Sequence, residues 1–323
     1  MKLSAKQTVD VLRAAGEPTR LRILALLDRE ELAVLELCRV LEQSQPRVSR
    51  HLKLLAEAGL VERFPDGAWV FYRLSGAGRQ HEVVGEVLAR INPDDPVLAR
   101  DRRKLDDVQA ERADAAQAYF AENAAQWDQI RSLYVADANV EAEVLAAVGG
   151  QRVGRLVDLG SGTGRMLTLL GPQADHALGL DLSQQMLNIA RRNTAEAGLT
   201  NVELRHGDIF DTRLPEAGAD LVVVHQVLHY LGDPAAAVKE AARIVAPGGK
   251  LIIVDFAPHK HEFLREQHQH RRLGFSDEEM ARWLGEADLP QVALQALPPT
   301  RADGLTVKIW AAQRAPSQLR NAA

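Results

Sequence analysis

A short apolar run, Leu156-Val157-Asp158-Leu159, leads straight into Gly160-Ser161-Gly162-Thr163-Gly164, and a helical pattern follows. Glycines at alternate positions let the chain turn sharply at a strand end and let its backbone approach a ligand closely. The residues beyond repeat the theme. Strand patterns at 155–159, 176–181, 202–206, 219–224, 251–256, 291–297 and 306–313 alternate with helical stretches at about 165–171, 184–197, 234–245 and 276–287. This alternation predicts an α/β, doubly wound, Rossmann-like and mostly parallel sheet.

The glycine spacing is G-x-G-x-G, with Arg165 where a dinucleotide loop has its third glycine, and no P-loop lysine follows. The neighbouring strand ends therefore decide the ligand. Asp181 ends the second strand, 17 residues past Gly164, where a carboxylate can accept from both hydroxyls of a ribose. Asp181 and Ser183 also precede helix 184–197, so a capping role stays open. After the third strand comes Gly207-Asp208-Ile209. Asp208 can accept from an adenine amino group or close a turn, and Ile209 can pack on a ring. The fourth strand runs into His225-Gln226, and Gln226 is a further candidate contact.

Together these features resemble class I S-adenosylmethionine-dependent methyltransferases of the type 11 kind, over about residues 115–314. The resemblance implies S-adenosylmethionine as cofactor, with S-adenosylhomocysteine as product or effector. It places Asp158 and the loop residues Gly160, Ser161, Gly162 and Gly164 at the methionine end, Asp181 on the ribose, and Leu182 and Ile209 about the adenine. His225 and His229 lie four apart. A short helix would set them on one face as candidate bases, or one packs on the sheet while the other meets solvent. The segment 258–272 holds four of the ten histidines. On one helix His261, Arg265, His268 and Arg272 would share a face, giving an anionic-substrate pocket, a metal site or a solvated surface. Cys38 stands alone, which excludes an intramolecular disulfide and a thiolate-rich arsenic site. Nor does an N/D-P-P-Y tetrad follow the fourth strand, so a small-molecule acceptor is expected rather than a DNA base.

The first 92 residues differ. They carry 14 Lys/Arg and 12 Asp/Glu, a net of +2, against −7 for the other 231 residues. Helical stretches at 3–15, 18–27, 34–41 and 45–58, the last stopping at Gly59, precede a change to period two. Runs 61–64 and 68–74 flank Pro65-Asp66-Gly67, a hairpin signal, and an amphipathic helix spans 78–91. This is a mainly-α, winged helix-turn-helix layout. Its recognition helix has Val48, Leu52 and Leu55 as an apolar back, helped by Leu54. Its polar front is Gln45, Arg47, Ser49, Arg50 and His51, side chains suited to base edges. Ser44 would cap the helix or meet a phosphate, and Arg63 and Arg73 would reach phosphates from the hairpin.

The stretch from Arg20 to Leu74, and SQPRVSRHLKLLAEAGLV most specifically, resembles the ArsR/SmtB family of bacterial repressors. That implies a homodimer, joined through helices 4–15 and 78–91, on a palindromic double-stranded operator. The family's thiol positions are Ala33 and Leu35 here, Cys38 lies among apolar neighbours, and His81-Glu82 does not make the family's zinc pattern. A signal would then come from the C-terminal half.

The expected division is 1–92 for DNA binding, 93–114 for a linker and the start of a connecting helix, 115–314 for the methyltransferase domain and 315–323 for a flexible tail. The linker signal is Asn92-Pro93-Asp94-Asp95-Pro96. From Arg100 to about Gly149 the chain reads as helical, with Tyr119, Phe120, Trp127, Ile130 and Leu133 as a docking side. A net charge of −5 excludes a uniformly basic coat. Neither a signal peptide nor a long apolar span is read, so a cytoplasmic, membrane-free protein is expected. Two functions fit: a transcription regulator that senses the cofactor or its product, or a small-molecule methyltransferase whose N-terminal domain serves dimerisation or autoregulation.

Overall fold

The computed structural model describes residues 3–75, 79–127, 137–299 and 304–316. Ile130, Leu133 and most of the tail lie outside them. The chain forms two compact units, Met1–Asp114 and Ala115–Ala323.

The first unit contains α1 (Ala5–Ala15), α2 (Pro18–Leu27), β1 (Leu32–Ala33), α3 (Val34–Leu41), α4 (Gln45–Glu57), β2 (Val61–Asp66), β3 (Trp69–Leu74), α5 (Arg79–Ala89) and the start of α6 (Pro96–Asn123). Local chemistry sets the helix starts. Ser4 and Gln7 form a reciprocal capping box on α1, and Pro18 opens α2 where no N–H is needed. The strands pair antiparallel in the order β1-β3-β2. Expectation and structure differ at the hairpin tip. Strand β2 continues through Pro65 and Asp66, and Asp66 pairs with Trp69 across a two-residue loop. Gly67 supplies the positive φ of +58° that this short loop requires. Pro65 is tolerated because β2 is an edge strand.

The core of this unit gathers Ile23, Leu24, Leu37, Val48, Leu52 and Leu55, and Leu105 and Val108 of α6 join it. Buried carboxylates are matched by arginines. Arg22 grips Asp101 with two bonds of 2.6 Å. Arg112 reaches Glu36 at 2.8 Å and Glu30 at 3.0 Å.

The second unit adds α7 (Asp137–Val148), β4 (Val153–Leu159), α8 (Arg165–Leu170), β5 (Ala174–Asp181), α9 (Gln184–Glu196), β6 (Val202–His206) and β7 (Ala219–His225). There follow α10 (Pro234–Ile244), β8 (Val245–Phe256), α11 (Phe263–His268), α12 (Asp277–Glu286), β9 (Gln291–Leu297) and β10 (Val307–Gln313). The sheet has seven strands in the order β6-β5-β4-β7-β8-β10-β9. Strands β4 to β8 are parallel, and β10 runs antiparallel to β8 and β9. Alternate residues feed two cores. Val157, Val222 and Val224 pack in the cluster that holds α10 and α12, while Leu156, Leu221 and Val223 pack in the one that holds α7 and α8. Neighbours β5 and β7 flank β4 on opposite sides, so the chain order reverses there and a crevice opens beyond the strand ends.

The expected long histidine helix is not formed. Helix α11 covers only Phe263–His268, because Gln269 adopts a left-handed conformation at φ +58°. His261 precedes this turn and Arg272 follows it, so the four side chains do not share one helical face. Among the described residues, no helix is long and apolar enough to cross a membrane.

Candidate functional site

Asp158 stands near the end of β4, level with Gly179 on β5 and Val223 on β7. It is 1% exposed, and among the described residues neither carboxylate oxygen has a hydrogen-bond partner. Burial, reinforced by the charge of Asp181, pushes its pKa up to about 8. The glycine turn follows. Gly160 and Ser161 both donate to the Leu180 carbonyl, at 2.7 and 3.0 Å. Gly160 has φ +72°, and a Cβ there would come within 2.5 Å of Val227. Gly164, at φ +81°, faces Ala190 of α9, 3.1 Å from where a Cβ would lie. Both glycines are therefore required by backbone conformation and by close packing.

Asp181 is tied to this turn. Its Oδ2 accepts from Gly162 N at 2.8 Å, and its Oδ1 accepts from Ser183 N at 2.8 Å. Ser183 is the cap of α9, accepting from Met186 N. The helix thus has its own cap, and Asp181 bridges the loop to it. Burial raises the Asp181 pKa, against the lowering effect of its two N–H partners. Two further polar atoms lack partners in the same loops: Ser161 Oγ and Gln226 Nε2 are buried without a hydrogen bond. Gln226 is held at φ +53°, with its N–H on the Val254 carbonyl at 2.7 Å. Leu182 is exposed, whereas Ile209 is buried in the core. Asp208 Oδ1 accepts from Phe210 N at 2.9 Å, which closes a turn.

The two candidate bases are not placed as the spacing suggests. His225 ends β7 opposite Val254. The left-handed Gln226 then breaks the path, and His229 sits in a single turn, Leu228–Tyr230. No common helix face joins them. His229 is 1% exposed and Asp255 is fully buried. His229 Nδ1 lies 2.8 Å from Asp255 Oδ1, which also accepts from Phe256 N at 2.8 Å. A carboxylate accepts only, so Nδ1 carries a proton, and in the neutral ring Nε2 is the acceptor. Among the described residues that buried Nε2 has no partner. The His229 carbonyl accepts from Arg271 N and Arg272 N, at 2.8 and 3.0 Å.

Rings surround this imidazole. Centroids of Tyr230, His270 and Phe256 lie 4.1, 4.2 and 5.0 Å from it. Phe120 packs on Tyr230 at 4.8 Å, and Trp127 packs on Phe120 at 5.2 Å. Burial, aided by His261, His229 and Arg265, lowers the His259 pKa to about 3. His270 is lowered for the same leading reason, and the Tyr230 hydroxyl is pushed well up. Sequence reasoning missed Asp255. Its signal was a carboxylate inside the apolar run Leu251-Ile252-Ile253-Val254-Asp255-Phe256. Among the described residues, no group of three or more His, Cys, Asp or Glu is placed to hold a metal ion.

In the first unit, Ser44, Gln45, Arg47 and Arg50 are exposed and Ser49 is half-buried, over a back of Val48, Leu52 and Leu55. The Ser44 side chain makes no capping bond, and Leu54 is 40% exposed rather than part of the back. His51 is half-buried, 3.5 Å from the Glu17 carboxylate. On the hairpin Arg63 is exposed. Arg73 is turned instead to Glu62 at 2.9 Å and Glu31 at 3.1 Å. Cys38 is half-buried, and burial raises its thiol pKa.

A doubly wound sheet with a glycine turn where its strand order reverses, linked to a helical unit with a polar helix face, defines a two-domain class. Comparison with known proteins names both parts. Residues 17–63 match the model of bacterial regulatory proteins of the arsR family. Residues 157–253 match that of a methyltransferase domain. The chain therefore carries an arsR-family regulatory segment and a methyltransferase domain.

Among individual relatives, it is 47% identical over 68 residues to the arsenical resistance operon repressor of Escherichia coli (strain K12), covering 21% of this chain and 58% of that protein. It is 28% identical over 105 residues to the uncharacterized methyltransferase YcgJ of Bacillus subtilis, covering 32% and 42%. It is 36% identical over 86 residues to a demethylmenaquinone methyltransferase of Listeria monocytogenes, covering 27% and 36%. The chain thus spans from 36% to 58% of the length of these relatives. A chain of the Haloferax volcanii complex containing the Trm112 methyltransferase activator superposes with a TM-score of 0.51 at 20% identity, over 61% of this chain and 97% of that one. That likeness establishes the α/β fold of the second unit.

Proposed function

We propose that this chain is a dimeric, operator-binding transcription regulator whose C-terminal domain binds S-adenosylmethionine and passes its methyl group to a small molecule, with cofactor or product occupancy tuning DNA binding. One observation carries the reading. Buried polar atoms without partners collect at the ends of β4 and β7: both oxygens of Asp158, Ser161 Oγ and Gln226 Nε2. Native proteins leave few such groups unmet, because each costs about 1–3 kcal/mol. A ligand that supplies their partners accounts for them.

The residues fit an adenosyl amino acid. Asp158 offers a carboxylate to an ammonium group, and its raised pKa marks a site short of positive charge. The Gly160–Gly164 turn brings bare backbone to the ligand. Asp181, already aimed at that turn, can exchange bonds with ribose hydroxyls, and Leu182 and Asp208 lie on the adenine side. When bound, the cofactor supplies a methyl group on a cationic sulfonium. The protein aligns an acceptor in line with it.

On the DNA side, Gln45, Arg47, Ser49 and Arg50 face the major groove, with His51 at its edge, while Ser44 and Arg63 lie toward the backbone and Arg73 stays with Glu62 and Glu31. The exposed Val9 and Leu12 on α1 suit a second subunit. Two recognition helices would then read half-sites roughly 34–36 Å apart. The test is calorimetry with S-adenosylmethionine and S-adenosylhomocysteine, alone and with an operator selected from random duplexes. Expected are one site per chain and a shift in operator affinity of about tenfold or more between ligand states. If neither ligand binds, the reading falls. If both bind and operator affinity does not move, the chain is an enzyme whose N-terminal unit serves dimerisation or autoregulation.

A further inference from the structure

Resting on the methyl-transfer reading above, we infer that the methyl acceptor is a flat phenol or enol, that His229 is its base, and that Asp255 is the positioning residue that makes it one. The starting observation is an imidazole with one nitrogen bound and one unmet. Asp255, fully buried, holds Nδ1–H at 2.8 Å and fixes the tautomer. Among the described residues, Nε2 is left buried with no donor, and a guest's O–H or N–H would complete it.

The surroundings choose among acceptors. Facing His229 are Asp255 from β8, the Tyr230 ring beside it, and Phe256 and His270. Beyond these, His259, His268 and Arg265 act on His270, Tyr119 acts on Tyr230, His261 lies against His259, and the backbone of Arg271 and Arg272 holds the His229 carbonyl. Asp255 is committed to His229, and Arg265 is paired with Glu262 at 3.1 Å. His259 and His270 are held neutral by burial. Arg272 pairs with Glu279 at 2.8 Å, and among the described residues of this set no carboxylate is left to receive an ammonium acceptor. What remains is a wall of uncharged rings, which favours a flat ring stacked or edge-on. An imidazole base also matches a phenol, whose O–H ionises near pH 10, far better than an alcohol.

The step balances. The acceptor O–H bond breaks, and its proton passes to Nε2. The oxygen lone pair forms the O–CH3 bond as the S–CH3 bond breaks, and that electron pair stays on sulfur, which becomes a neutral thioether. The imidazolium charge is countered by Asp255 across the same 2.8 Å contact.

The test uses the full chain saturated with S-adenosylhomocysteine, with 4-nitrophenol as probe, because the phenolate is coloured and the phenol is not. The apparent pKa of the bound probe is read from its absorbance across pH, with 4-nitroaniline as a control of the same shape and no acidic O–H. Expected in the native protein is a bound probe ionised about one pH unit or more below its free value, and a bound aniline with no spectral change. Asp255→Asn and His229→Gln should abolish that displacement and leave S-adenosylhomocysteine affinity unchanged by calorimetry. If Asp255→Asn folds too poorly to bind the nucleoside, His229→Gln, which keeps a hydrogen-bond donor, makes the same comparison. A probe bound without displacement, a displacement that survives in both variants, or failure of both flat probes to bind overturns the inference. None of those touches the cofactor reading, which fails separately if S-adenosylhomocysteine itself does not bind.

Discussion

One carboxylate in each unit is buried to the same depth, and the two are treated in opposite ways. In the first, Asp101, like Glu30 and Glu36, meets an arginine at 3.0 Å or less. In the second, Asp255 meets His229, but Asp158, 1% exposed like Asp101, has no hydrogen-bond partner among the described residues. A buried carboxylate with its counter-ion in the same chain holds the fold in one arrangement. On the reading proposed above, Asp158 takes its counter-ion from a ligand instead. The difference separates architecture from chemistry more sharply than position in a cleft does.

That contrast is open to attack. The largest effect is expected from Arg22→Ala, which strands Asp101 and should cost about 3–5 kcal/mol in denaturant unfolding, with S-adenosylmethionine affinity of the folded protein unchanged. Asp158→Asn should do the reverse. Unfolding without ligand holds or improves, while calorimetry shows cofactor affinity down by about 1.5–3 kcal/mol. Equal damage to stability by both variants would erase the distinction.

Asp158 also sets a pH signature. Its carboxyl ionises near 3.8 in the unfolded chain and at about 8 in the folded one. Between those values the folded state binds more protons, so its contribution to stability is present below the lower value and is lost as pH rises toward 8. Melting of the ligand-free protein should record that decline, and the cofactor, which favours the carboxylate, should flatten it. Binding below pH 8 should also release a proton, measurable as a buffer-dependent heat.

On the helical unit, Arg47→Ala should weaken operator binding by about 1–3 kcal/mol in a gel-shift titration with no change in melting. Arg73→Ala should instead lower stability, since its partners are Glu31 and Glu62. The smallest effect belongs to Arg39→Ala. Its partner Glu111 is solvent-exposed with it, and a change within about 0.5 kcal/mol is expected.

Periodicity and glycine made most of this fold legible. Parallel strands buried on both faces appear as apolar runs, as Leu221–Val224 of β7 does, and the expected ends of the edge strands β6 and β9 coincide with those found. The Gly160–Gly164 turn and Asp181 were readable because local conformation and spacing suffice to name them. The His229–Asp255 pair was not. Its partners lie 26 residues apart, and only strand pairing brings them together. The same holds for Arg22 and Asp101, 79 residues apart. The false histidine face arose from assuming one helix across Gln269, whose left-handed turn a glutamine does not advertise.

One bond pattern reaches further. The carbonyl of His229 takes the N–H groups of both Arg271 and Arg272, so the segment after β8 is fastened to the backbone of the residue proposed above as base. The imidazole is thereby anchored twice, by Asp255 through its ring and by this segment through its main chain. A substitution that reshapes residues 271–272 would reach that ring without touching it.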